Sequence, residues 1–166
     1  MTPARSGTVH VVRHAKAESR KRFTEDDRLR PLNEDGLRQA ELIADHLEGV
    51  VDAVVSSPAV RCAQTVGPLA LRRDLELEVV DELGEGSDPL VALDRLLELA
   101  KGGRQVVACT HGDVVYGLLE TLTDAGVPLD APITCPKAAT WVLTAANGKI
   151  TAATYTPPPS PHQHDQ

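Results

Sequence analysis

Long apolar runs, paired cysteines and an excess of basic charge are all missing from this chain. No window approaches the roughly 18 apolar residues of a membrane-spanning helix, and the opening MTPARSGTVHVV holds no apolar stretch of signal-peptide length. Cys62, Cys109 and Cys135 are odd in number and lack C-x-x-C spacing, which argues against a disulfide framework or zinc ribbon and for a reducing compartment. With 24 acidic against 17 basic side chains the formal net charge is −7, so no whole-molecule field gathers nucleic acid or an anionic membrane. The expectation is a soluble, cytoplasmic protein with no membrane or nucleic-acid partner. Any anion it binds must be drawn in by a local cluster of charge.

What is present suits one globular core: 166 residues, 42% of them apolar, in segments that alternate between strand and helix patterns. Residues 8–13 (TVHVVR) read as a strand covered on both faces, followed by a charged loop over 15–31. Asn33 is the expected N-cap of a helix whose apolar face is Leu37, Ala40, Ile43, Ala44 and Leu47, closed by Gly49. Residues 52–56 form a second strand, with Ser57 as N-cap and Pro58 at the first position of a helix running to about 71 and bent near Gly67-Pro68. A less marked strand covers 75–80. Asp88-Pro89 then opens a helix carrying Leu90, Leu93, Leu96, Leu97 and Ala100, ended by Gly102-Gly103. The most apolar strand, 105–110 (QVVACT), runs into His111-Gly112-Asp113 and a helix bearing Val114, Val115, Leu118, Leu119 and Leu122. Asn147-Gly148 marks a closing hairpin. This order predicts a three-layer α/β/α sandwich with a mainly parallel sheet and a C-terminal antiparallel hairpin, a single domain over 1–156 and a disordered tail over 157–166.

The reactive residues fall where the strands end, which is where open α/β sheets collect ligands. Arg13 and His14 leave the first strand, Ser56 and Ser57 the second with Arg61 one turn on, Glu82 follows the third, and His111 leaves the fourth. Two guanidinium groups and helix N-termini near Ser57 and Gly112 suit a phosphate. One histidine can attack phosphorus if its imidazole is neutral, a second can stabilise charge while protonated, and a carboxyl group can serve the leaving group and then water.

VRHA, SSPAVRCAQT, DEL and THGD, each at a strand end, resemble the signature of the histidine phosphatase superfamily over about residues 8–145. The short length, the PLNEDG segment and the lack of an inserted cap domain make the chain similar to SixA-type phosphohistidine phosphatases. RKRFTEDDRLRPL and KAATWVL also resemble the phosphatase domain attached to some bacterial Nudix hydrolases. The resemblance implies that His14 is the nucleophile, that Arg13, Arg61 and His111 hold phosphoryl oxygens, and that Glu82, or alternatively Asp113, is the acid. No metal and no cofactor are expected. Lys16, Arg20 and Arg22 are candidates to meet the substrate beyond its phosphate. Ala15 and Ala17 depart from the mutase branch and argue against a phosphoglycerate mutase. The expected substrate is a phosphorylated protein, a small phosphorylated metabolite or a nucleotide. A non-catalytic phosphate-binding module is the alternative, as is a metal-dependent hydrolase built on Cys109, His111 and Asp113, which the two arginines disfavour.

Overall fold

The computed structural model describes residues 6–160. Ten regular elements alternate as the sequence pattern requires: β1 (Gly7–Arg13), α1 (Glu34–His46), β2 (Ala53–Ser56), α2 (Val60–Arg72), β3 (Leu77–Val79), α3 (Pro89–Leu99), β4 (Gln105–Thr110), α4 (Gly112–Asp124), β5 (Thr140–Ala146) and β6 (Lys149–Thr156). They form one sheet in the order β3-β2-β4-β1-β5-β6. Strands β3, β2, β4 and β1 are parallel, and β5 and β6 are added antiparallel to β1. Helices on both faces complete a three-layer α/β/α sandwich without an inserted cap domain among the described residues.

Strand β1 is central and its side chains divide between two cores. Val9 and Val11 join Val114, Leu118, Leu122 and Leu96 on the α3/α4 side, while Val12 joins Ile43, Ala44, Val66 and Leu69 on the α1/α2 side. Each such fully buried aliphatic side chain contributes about 1.5–3 kcal/mol of transfer free energy. Asn147 and Gly148, with φ of 55° and 77°, make the left-handed two-residue turn that a tight hairpin needs.

Three expectations about helix detail are corrected. Leu37 is 46% exposed, because the buried stripe of α1 is Gly36, Ala40, Ile43 and Ala44. Gly36 is what lets α1 approach the loop, since a Cβ there would fall 1.9 Å from the Lys16 carbonyl oxygen. Leu90 is likewise 58% exposed, the buried stripe of α3 being Ala92, Leu96 and Leu99, and the helix closes at Ala100, ahead of Gly102-Gly103. The second helix begins at Val60, not at Pro58, and its N-cap Ala59 has no side-chain cap; the Ser57 hydroxyl, although it accepts from Ala59 N–H at 3.2 Å, is turned toward His111. The expected N-caps Asn33 and Asp88 do accept from Gly36 N–H and Leu90 N–H.

Of the tail, residues 161–166 lie outside the described residues; 157–160 have no regular structure and Pro158, Pro159 and Ser160 are half-buried. Among the described residues no helix is long and apolar enough to cross a membrane.

Candidate active site

Because β1, β2 and β4 are parallel neighbours in register, with Arg13 opposite Thr110 and Ser56 opposite Cys109, the next residue of each emerges at one edge of the sheet. The strand pairing extends one residue further: His14 N–H donates to Thr110 O at 3.1 Å and Ser57 N–H to Cys109 O at 3.0 Å. His14 and His111 are thereby brought together on rigid backbone, their ring centroids 5.5 Å apart and nearly edge to face.

His14 is 6% exposed, and its Nδ1 lies 2.8 Å from the Ala15 carbonyl. A carbonyl can only accept, so Nδ1 carries the proton and the lone pair is on Nε2. Burial, then the charges of Arg61, His111 and Arg13, lower the His14 pKa to about 3, against the opposing pull of the Ala15 hydrogen bond. The imidazole is therefore neutral across the physiological range, the state a nucleophile requires. His111 sits at the start of α4 with Nε2 2.8 Å from the Ser57 hydroxyl and 3.6 Å from the Cys62 sulfur.

The arginines are anchored through their ends. Arg13 Nη1 donates to Cys135 O at 2.8 Å, and its guanidinium lies flat on Gly112, where a Cβ would fall 2.8 Å from Cζ. Arg61 is buried; its Nη1 donates to Asp27 O at 2.8 Å, and its Nη2 pairs with Asp27 Oδ2 at 3.1 Å and Glu85 Oε2 at 3.4 Å. Arg13 Nε, Arg61 Nε and His111 Nδ1 are buried with no hydrogen-bond partner among the described residues. An unsatisfied buried polar group costs about 1–3 kcal/mol, so these three nitrogens are a standing preference for an anion with several oxygens.

The carboxyl group that meets both Arg61 and the neighbourhood of His111 is Glu85 and not the expected Glu82. Glu82 stands half-buried in the short turn Asp81–Leu83 and makes none of these contacts. Glu85 Oε2 lies 3.4 Å from Arg61, 3.4 Å from Arg20 and 3.7 Å from His111 Nδ1. It lines both a ≈ 570 Å³ cavity that includes Arg13 and His14 and a ≈ 270 Å³ cavity that includes Arg61 and His111. Asp113 lines the larger cavity but turns its Oδ2 to Gly86 N–H at 2.8 Å, which fixes the loop that carries Glu85. The run Gly84-Glu85-Gly86, a carboxylate between two glycines, was the available signal for this residue.

Of the three loop cations singled out from sequence, Arg20 lines the cavity, Lys16 pairs instead with Asp35 at 3.8 Å, and Arg22 is exposed and does not line it. Arg30, from the same charged loop, and Lys137 also line the cavity. Cys62 and Cys109 are buried free thiols.

The parallel strands of the sheet deliver His14, His111 and Arg13 to one edge, where Arg61 and Glu85 meet them, an arrangement of charge suited to a phosphoryl group. Residues 9–87 match the model of the histidine phosphatase superfamily, branch 1, and β1, β2 and the Asp-Glu-Leu turn fall within that match. The chain is 35% identical over 161 residues to an 8-oxo-(d)GTP phosphatase of Mycolicibacterium smegmatis; the match takes in 95% of this chain but spans only half the length of that relative. In fold it is similar to the protein histidine phosphatase SixA in complex with tungstate (TM-score 0.70, 23% identity, 95% of this chain and 99% of that one). The phosphoglycerate mutase of Bacillus anthracis shares the fold at 15% identity (TM-score 0.67, 95% of this chain and 94% of that one).

Proposed function

We propose that the chain hydrolyses a phosphomonoester or phosphoramidate through a phosphohistidine on His14, without a metal ion. The observation that carries this reading is the neutral His14, with its Nε2 lone pair, beside three buried nitrogens that lack partners, on Arg13, Arg61 and His111. In the first step the P–N bond to Nε2 forms, the P–O or P–N bond to the leaving group breaks, and the leaving atom takes a proton from Glu85. In the second, water attacks phosphorus, the P–N bond to His14 breaks, the proton of water returns to Glu85, and orthophosphate departs. A phosphate on Arg61 and His111 competes with the Glu85 carboxylate for the same donors. Glu85, within reach of that same site, is the group placed to deliver the proton.

Hydrolysis of p-nitrophenyl phosphate in EDTA by the wild type, and its loss by about 10³-fold or more in His14→Ala, are the expected results. An acid-labile, alkali-stable phosphoryl label should accumulate on the wild type during turnover. Full activity in His14→Ala, or complete inhibition by EDTA, would sink the reading.

A nucleotide is the second substrate reading beside a phosphohistidine protein, and the 35% identical relative, named for its action on 8-oxo-(d)GTP, favours it. Turnover of nucleoside di- and triphosphates measured beside a phosphohistidine protein separates the two.

A further inference from the structure

The ≈ 570 Å³ cavity over His14 is roomier than one phosphoryl group requires, and Arg20, Arg30 and Lys137 line it together with Arg13 and His14. Gathering cations in a chain of net charge −7 is costly unless each has a partner. Arg13 has the Cys135 carbonyl, and Arg30 has Asp27 Oδ1 at 2.9 Å and the Glu18 carbonyl at 2.8 Å. Arg20 has Glu85 at 3.4 Å, an exposed pair that exchanges at little cost. Lys137 alone of these four has neither an ion pair nor a hydrogen bond among the described residues. Of the cavity's carboxylates, Glu85 is held by Arg61, Asp113 faces Gly86 N–H, and Glu18 is exposed.

Lys137 is also tethered to the nucleophile. The next residue, Ala138, is fully buried and its N–H donates to the carbonyls of both Arg13 and His14, at 3.1 and 3.2 Å. Burial, then Arg13, Arg30, Lys16 and Arg20, lower the pKa of its ammonium, which marks a cation held among cations.

We infer that Lys137, together with Arg20, forms a second anion subsite that binds a phosphate belonging to the leaving group. The inference rests on the proposed chemistry at His14 and narrows its substrate to a phosphoanhydride, a nucleoside diphosphate being the simplest. The terminal phosphoryl group moves to His14 Nε2, its bond to the bridging oxygen breaks, and the departing phosphate, protonated by Glu85, is held by Lys137 and Arg20.

The test compares kcat and KM for GDP and for p-nitrophenyl phosphate, whose leaving group has no phosphate, in the wild type, Lys137→Ala and Lys137→Arg. Calorimetry of pyrophosphate and orthophosphate binding to His14→Ala and to His14→Ala with Lys137→Ala runs beside it. Lys137→Ala is expected to raise KM for GDP about 10-fold more than KM for the aryl phosphate, with Lys137→Arg recovering most of the difference, as suits a charge-assisted contact. Pyrophosphate should bind His14→Ala about 10-fold tighter than orthophosphate, and the double variant should lose that preference. Equal KM changes for the two substrates, or equal affinity for the two anions, would overturn the inference. Turnover of neither substrate by the wild type would instead remove the phosphatase chemistry, and the binding arm would still decide the subsite.

Discussion

Glu82 and Glu85 lie three residues apart, and their contacts assign them different work. Glu85 touches Arg61, Arg20 and the neighbourhood of His111, whereas Glu82 touches none of them. Glu85→Gln should lower kcat about 10²–10⁴-fold on an alkyl phosphate, whose leaving group needs a proton, and much less on p-nitrophenyl phosphate. Glu82→Gln should stay within about twofold on both. The reverse pattern in steady-state kinetics would return the acid to Glu82. Arg13, His14, Arg61 and His111 were legible in the sequence because each is tied to a strand end or a first helical turn that the apolar pattern locates. Glu85 and Lys137 were not, since neither the Gly-flanked loop nor the segment before β5 has a period to read. Only tertiary contacts, Asp113 to Gly86 and Ala138 to His14, bring them to the site.

Among the elements, the mainly parallel sheet, its closing hairpin and the helix count followed from alternation of pattern, while the rotational phase of α1 and α3 did not. Leucine spacing put Leu37 and Leu90 inside. The contacts that set the phase are close backbone approaches, which a hydrophobicity count does not see: Gly36 is buried against the Lys16 carbonyl and Leu37 turned outward. Two glycines test this by contrast. Gly36→Ala should cost about 1–3 kcal/mol, because backbone must give way. Gly67, inside α2, has nothing within 4 Å of an added Cβ beyond its chain neighbours, of which Pro68 crowds that Cβ, so Gly67→Ala should stay within about 0.5 kcal/mol. Urea denaturation of the two variants checks both, and equal shifts would dismiss the account. At the site, Gly112→Ala should displace the Arg13 guanidinium and reduce kcat/KM by about 10²-fold or more, with a smaller effect on stability.

Taken whole, the molecule should lose stability in mild acid for a reason located on β1. Burial lowers the pKa of both His10 and His14, the latter from 6.5 to about 3. Between those values the unfolded chain binds protons that native His14 refuses, so stability rises with pH, is complete above about 6.5 and declines as pH falls toward 3. Asp27, its carboxyl held below the usual range first by its hydrogen bond from Arg30, works in the same direction but only below about pH 4. The urea midpoint should therefore fall between pH 7.5 and pH 5, and His14→Ala should flatten that slope; an unchanged slope would place the effect elsewhere. The place of β1 in the sheet bears on synthesis as well. Among the described strands it is made first, yet its neighbours β4 and β5 begin at residues 105 and 140, and the carbonyl that holds Arg13 belongs to Cys135. A nascent chain thus carries His14 at the end of a strand with two open edges until β4 and β5 have been made, and a chain terminated before β5 would hold His14 in sequence but have no frame to aim it.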